Sequence, residues 1–149
     1  RHLPALSRAN AVQRRVKHVG FEWRTVGEVM AKVEEELGEL RAAIASGRQH
    51  AIEDELGDVL FSIVNLARFV KVEPERALHK TVRKFMDRFR RVEAGLAKRG
   101  TTPENSTLEE MDALWTTIKK AEHKRRARRG RIATLHRRVA GTGVSLGRR

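Results

Sequence analysis

Cysteine and tyrosine are both missing from the 149 residues. Without cysteine there are no disulfides and no thiolate metal sites. Without tyrosine, and with only five Phe and two Trp, the core has to be built from Leu, Val, Ile, Ala and a little Phe. No apolar run approaches the roughly 18 residues of a membrane span, and no signal-peptide pattern opens the chain. We therefore expect no membrane association and a cytoplasmic location. The P-loop pattern G-x-x-x-x-G-K-[ST], which grips β- and γ-phosphates, is also absent. No convincing internal repeat is present. The chain starts at Arg1 rather than Met, so a piece of a longer protein is expected. Its length suits one compact domain with a real core.

Acidic charge is scarce in one region only. Residues 119–149 hold 12 Lys and Arg and a single acid, Glu122. The preceding 118 residues are nearly balanced, so most of the net charge of +13 belongs to the end of the chain. Arguments from charge to nucleic acid apply to that segment alone. We divide the chain into a helical part, 1–123, and a basic tail, 124–149, expected to be disordered. Its last nine residues contain three glycines.

The body reads as helix throughout, an all-α bundle of antiparallel hairpins. A first helix covers roughly 5–19 and leads into Gly20-Phe21-Glu22-Trp23, a packed turn. Thr25 with Glu28 forms a capping box that opens a second helix. Its stripe is Val26, Met30, Val33, Leu37, Leu40 and Ile44, and Ser46-Gly47 stops it. A third helix, roughly 48–70, repeats the pattern with Ile52, Leu56, Val59, Ile63, Ala67 and Val70. A fourth begins near Pro74, carries Leu78, Val82, Phe85, Phe89, Val92 and Leu96, and is broken by Gly100 with Pro103. Thr107 and Glu110 cap a fifth, with Leu108, Met111, Leu114, Trp115 and Ile118. The broad apolar stripes call for a homodimer or higher homo-oligomer to cover them.

Two acidic clusters flank Gly47 symmetrically. Glu36 and Glu39 lie 11 and 8 residues before it, and Glu55 and Asp58 lie 8 and 11 after it. If Ser46-Gly47 turns an antiparallel hairpin, equal residue counts at ~1.5 Å rise bring the clusters level. Each like-charged pair at ~4 Å costs roughly 4 kcal/mol at an effective dielectric near 20. Either a cation neutralises them or their pKa values rise. Hard oxygen ligands suit Mg²⁺ or Mn²⁺. A carboxylate-bridged di-iron site would need Glu-x-x-His pairs, which neither cluster supplies. At 100° per residue, Lys32, Glu36 and Glu39 form one ridge beside the apolar stripe, and Glu55, Asp58, Ser62 and Asn65 form another. Glu35 projects further outward. Lys84 and Arg88 are i, i+4 neighbours beside Phe85 and Phe89. The plainer readings are a solvated acidic face, with Lys32–Glu36 an ion pair worth roughly 0.3–0.5 kcal/mol. Trp23 and Trp115 read first as core anchors, and the scattered histidines receive no role.

Lys32-Val33-Glu34-Glu35-Glu36-Leu37-Gly38-Glu39-Leu40, followed by Glu55-Leu56-Gly57-Asp58-Val59-Leu60-Phe61, resembles the EExxE…ExxD signature of MazG-type nucleoside triphosphate pyrophosphohydrolases. Leu3-Pro4-Ala5-Leu6, Gly20-Phe21-Glu22-Trp23, Val64-Asn65-Leu66-Ala67-Arg68 and Lys84-Phe85 with Arg88-Phe89 are similar to the catalytic, C-terminal repeat of two-repeat members. The resemblance covers roughly residues 3–122. It implies an all-α, Mg²⁺-dependent enzyme that splits NTPs into NMP and pyrophosphate, with dimers of paired hairpins. It also implies metal ligation by Glu36, Glu39, Glu55 and Asp58. Glu35 would orient a water or hold another metal. Lys32, Asn65, Lys84 and Arg88 would contact phosphates or ribose, with Trp115 closing over the nucleotide. The basic extension beyond about 123 departs from the family pattern. The rivals are a helical module binding RNA or DNA through that extension, and a narrower dUTPase-like or phosphoribosyl-ATP pyrophosphohydrolase.

Overall fold

A computed structural model describes residues 3–141, with side chains through Arg131. The chain packs as two units that divide between Val82 and Arg83. The helices are α1 (Ala5–Lys17), α2 (Val26–Ser46), α3 (Gln49–Phe69), α4 (Pro74–Ala97) and α5 (Leu108–Gly141), with a 3₁₀ turn at Pro103–Asn105. No strand occurs among the described residues, and none of their helices is long and apolar enough to cross a membrane.

Local chemistry sets the helix ends in the first unit. Thr25 Oγ1 accepts from the Glu28 amide at 3.2 Å, and the Glu28 carboxylate accepts from the Thr25 and Arg24 amides at 3.1 and 2.7 Å. This is the expected capping box, satisfying donors that the first turn of α2 leaves open. Gly47 ends α2 in the left-handed region at φ 67°, where a side chain is strained. The turn folds α3 back antiparallel onto α2, and α1 packs against α3. Glu73 caps α4 by accepting from the Glu75 and Arg76 amides.

The buried face of the hairpin differs from the expected stripes. Val29, Val33, Ala43, Val59 and Val64 are buried, whereas Met30, Ile44, Leu56 and Ile63 are exposed. The apolar band is wider than one neighbouring helix covers, so its seam is packed by small β-branched side chains and its flank faces outward. Trp23 is also exposed rather than a core anchor.

Two polar tethers hold α1 and its connection to α3. Gln13 Nε2 donates to the Phe61 carbonyl at 2.8 Å. Glu22, in the α1–α2 connection, receives Arg68 of α3 in a bidentate pair with a 2.7 Å arm. Lys17 adds a second cation at 3.1 Å, and Arg68 also donates to Asn65 Oδ1 at 2.6 Å.

In the second unit, Val92 and Leu96 of α4 and Ile118 of α5 form a core flanked by Met111, Leu114 and Trp115. Gly95 permits the close approach, since a Cβ there would meet Leu114 at 3.0 Å. Thr107 and Glu110 form the second expected capping box, with bonds of 2.9 and 3.2 Å. Where composition led us to expect a disordered tail from 124, the backbone of α5 continues as helix to Gly141. Ala, Arg, Lys and Leu in this stretch are good helix formers. Residues 142–149, which include all but one of the last nine, lie outside the described residues.

The Glu22–Arg68 pair makes stability pH-dependent. Hydrogen bonding to Arg68 holds the Glu22 carboxyl at about 2, against an ordinary 4.5. A depressed pKa stabilises the fold fully above the ordinary value, and the contribution disappears as pH falls through about 2. Glu22→Gln is expected to cost about 2–3 kcal/mol at pH 7, the gap to wild type closing between about pH 5 and 2. Urea denaturation of both proteins across that range checks it; a gap independent of pH would refute the assignment.

Candidate metal and nucleotide site

The hairpin brings the acids together as the spacing around Gly47 predicts. One carboxylate oxygen each from Glu36, Glu39 and Glu55 lies within 4.8 Å of the others. Glu36 is buried, Glu55 half-buried and Glu39 exposed. Asp58 is outside this group of three but joins Glu36 in the wall of an adjoining cavity. The crowding shows in the protonation of Glu39, whose pKa is raised. A hydrogen bond with Glu36 is the main cause, with desolvation and repulsion from Glu36 and Glu55 adding to it.

Lys32 offsets part of that charge. Its ammonium lies 2.7 Å from Glu36 and 3.1 Å from Glu35. Hydrogen bonding to Glu36 and then to Glu35 holds its pKa well above the usual lysine range, so it stays cationic. Glu35 points outward as expected, touching the site only through Lys32.

The cavity measures about 520 Å³, within the roughly 300–1,000 Å³ of small-ligand sites. Lys32, Glu36, Asp58 and Asn65 line it, all named from the sequence. Gln13, Phe21, Glu22, Trp23, Phe61 and Arg68 also line it and were not singled out as site residues. Gln13 and Arg68 carry no spacing signal, since each meets the cavity through partners 46–48 residues away. The Gly20-to-Trp23 segment was read from the sequence as a packed turn and as part of the resemblance, not as the wall of a cavity.

Lys84, Arg88 and Trp115 belong to the second unit. Lys84 is exposed on α4. Arg88 is taken up by Glu122, with contacts of 2.7 and 2.8 Å, and Glu122 also binds Arg91 at 2.8 Å. The Arg88 bond is the main reason the Glu122 carboxyl is held below its ordinary value. The Arg88 guanidinium lies 5.7 Å from the Trp115 ring centroid, and Phe85 packs on the same ring at 5.1 Å.

Residues 24–93 match the MazG nucleotide pyrophosphohydrolase domain. The chain is 44% identical over 117 residues to the nucleoside triphosphate pyrophosphohydrolase/pyrophosphatase MazG of Thermotoga maritima, covering 78% of this chain and 45% of that protein. It is likewise 44% identical over 124 residues to the nucleoside triphosphate pyrophosphohydrolase of Escherichia coli K12, covering 82% and 47%. A 76-residue match at 42% identity, to the uncharacterized protein YabN of Bacillus subtilis, covers 51% of this chain and 16% of that protein. The chain thus spans about half the length of the two pyrophosphohydrolases. All four paired acids fall inside the matched residues 24–93, over which this chain is similar to MazG nucleotide pyrophosphohydrolases.

Proposed function

We propose that this chain is a divalent-metal-dependent nucleoside triphosphate pyrophosphohydrolase, cleaving NTPs or dNTPs between the α- and β-phosphates to give NMP and pyrophosphate. The observation that carries the reading is the convergence of Glu36, Glu39 and Glu55 beside a cavity that Lys32 and Asp58 also line. The donor set fits a hard cation: all-oxygen, negatively charged and crowded enough to raise the pKa of Glu39. Glu36, Glu39, Glu55 and Asp58 would hold Mg²⁺ or Mn²⁺, which when bound neutralises phosphate charge and makes water more acidic.

The chain's own groups supply the rest. Lys32 remains charged and meets phosphate oxygens by charge-assisted hydrogen bonds. Glu35, exposed and anchored by Lys32, orients the attacking water. Asn65 is held by Arg68 at the cavity wall and contacts ribose or phosphate. Lys84, Arg88 and Trp115 keep proposed substrate contacts on family grounds. Arg88 must leave Glu122 before it can bind a phosphate.

We also propose a homodimer. Met30, Leu56, Leu60 and Ile63 expose apolar surface on the hairpin, and a twofold partner is the commonest way to bury such a face. Residues 1–123 form the proposed catalytic part. The basic segment from 124 is proposed to bind polyanions such as RNA without serving the chemistry.

EDTA is expected to abolish hydrolysis and Mg²⁺ or Mn²⁺ to restore it. Glu39→Gln should lower turnover by at least about 100-fold, while apo stability holds or rises because one repulsive charge is gone. Unaltered hydrolysis by this variant would remove Glu39 from the ligand set. Chromatography of ATP digests should give AMP and pyrophosphate, and ADP as the main first product would overturn the reaction type.

Sedimentation at micromolar concentration should find a dimer; an active monomer would contradict the proposed interface. Truncation after His123, which keeps Glu122, should leave hydrolysis intact and flatten the salt dependence of RNA binding, each lost phosphate contact removing about 0.7–0.9 from the log–log slope. Loss of hydrolysis with folding intact would place the basic segment in the site.

A further inference from the structure

Between Lys124 and Arg131, α5 carries six cations: Lys124, Arg125, Arg126, Arg128, Arg129 and Arg131. All six are exposed, and none enters a salt bridge among the described residues. Glu122, the last acid in the sequence, is already held by Arg88 and Arg91. Like charges four residues apart, as at Lys124/Arg128 and Arg125/Arg129, repel and weaken a helix. The segment is helical at an electrostatic cost that no described acid offsets. A bound polyanion offsets it.

The arrangement round the helix axis narrows the class of polyanion. At about 100° per residue, with Lys124 as origin, Arg128 lies near ~40°, Arg125 near ~100°, Arg129 near ~140°, Arg126 near ~200° and Arg131 near ~340°. The cations fill an arc of roughly 220°, more than a flat surface can touch. The remaining arc holds Ala127 near ~300° and Gly130 near ~240°, with His123 between these directions one turn earlier. A Cβ built on Gly130 would meet no atom within 4 Å. Steric crowding inside the described chain therefore does not call for glycine, a poor helix former, at this point. A low ridge at Ala127 and Gly130 with cations on both flanks fits a concave partner with two negative walls.

The major groove of B-form DNA is such a partner: about 12 Å wide, it admits an α-helix between two rows of phosphates. Residues 124–131 span about 12 Å at ~1.5 Å rise. The two strands of a duplex present one charge per ~1.7 Å, about seven over that length, against six cations. The alternatives fit less well. The major groove of an RNA duplex is too deep and narrow for side chains to read, and a single strand offers one row of phosphates. A helix lying on a membrane needs an apolar face, and the only uncharged residues here are Ala127 and Gly130.

We propose that α5 beyond Glu122 is a double-stranded DNA-binding helix, entering the major groove on its Ala127–Gly130 side, with Arg126 reaching one phosphate wall and Lys124 and Arg131 the other. The proposal rests on the polyanion-binding reading of the basic segment and adds the partner and the face. Phosphate contacts carry no sequence information, so the helix anchors the protein on DNA without choosing a site.

The test is fluorescence anisotropy with the full chain, using a DNA duplex, an RNA duplex of the same sequence and one DNA strand alone, with anionic vesicles in a parallel co-sedimentation. Wild type should bind the DNA duplex at least about 10-fold more tightly than the other two nucleic acids. Ala127→Leu keeps every charge and a good helix former, and the position is exposed, so folding is retained. It should weaken DNA-duplex binding about fivefold and leave single-strand affinity within about twofold. Arg126→Ala combined with Arg131→Ala should lower the log–log salt slope for the DNA duplex by about 1.8, two phosphate contacts at about 0.9 each. Unchanged duplex affinity in Ala127→Leu, or tighter binding to the vesicles than to DNA, overturns the proposal. Equal binding of all three nucleic acids sinks the groove and keeps the polyanion reading, and binding to none of them sinks both.

Discussion

Everything at the candidate site depends on the left-handed turn at Gly47. Only at such a turn does α2 reverse within a residue or two, and only a short, symmetric reversal sets acids at matching distances opposite each other. Helix capping then fixes where α2 begins, because the Thr25–Glu28 box pins its first turn. With the start capped and the end turned, the carboxylates of Glu36, Glu39 and Glu55 converge. Their mutual repulsion is tolerated because two tethers and a valine seam hold the first unit together.

The distribution of cations follows the same logic. Arg68 and Lys17 are committed to Glu22, and Arg88 and Arg91 to Glu122, so these four arginines and lysines stabilise packing. Lys32 differs because its partners belong to the acidic group itself. It remains charged at the edge of the cavity, where it partly balances the carboxylates and leaves them short of full neutralisation. On the proposed function such a site takes a polyanion together with a divalent cation, since either alone leaves charge uncompensated.

Apolar surface is distributed unevenly for a related reason. The stripes of α2 and α3 are broader than the seam they share, and the flank carrying Met30, Leu56 and Ile63 stays exposed. Leu and Ile on that flank extend outward where Val and Ala pack the seam. The expected stripes were therefore apolar as read, but apolarity did not say which part of a wide band meets the neighbouring helix. Trp23 illustrates the same limit: a large aromatic in a turn was read as an anchor, and it stands in the open wall of the cavity.

The sequence by itself determined the helices, their caps and the register of the acids. These are local properties, set by 3–4 periodicity, by Thr-x-x-Glu at Thr25 and Thr107, and by residue counts on either side of one glycine. In the basic stretch after 124 charge suggested disorder, and helix-forming residues there carry the backbone of α5 on to Gly141. Tertiary structure alone decided the cavity. Gln13 and Phe61, and Glu22 and Arg68, are 48 and 46 residues apart. No periodicity joins residues so distant, because their pairing depends on how α1 lies against α3. Gln13 Oε1 and Arg68 Nε are buried without a hydrogen-bond partner only once that packing has excluded water and used up the other donors and acceptors around them.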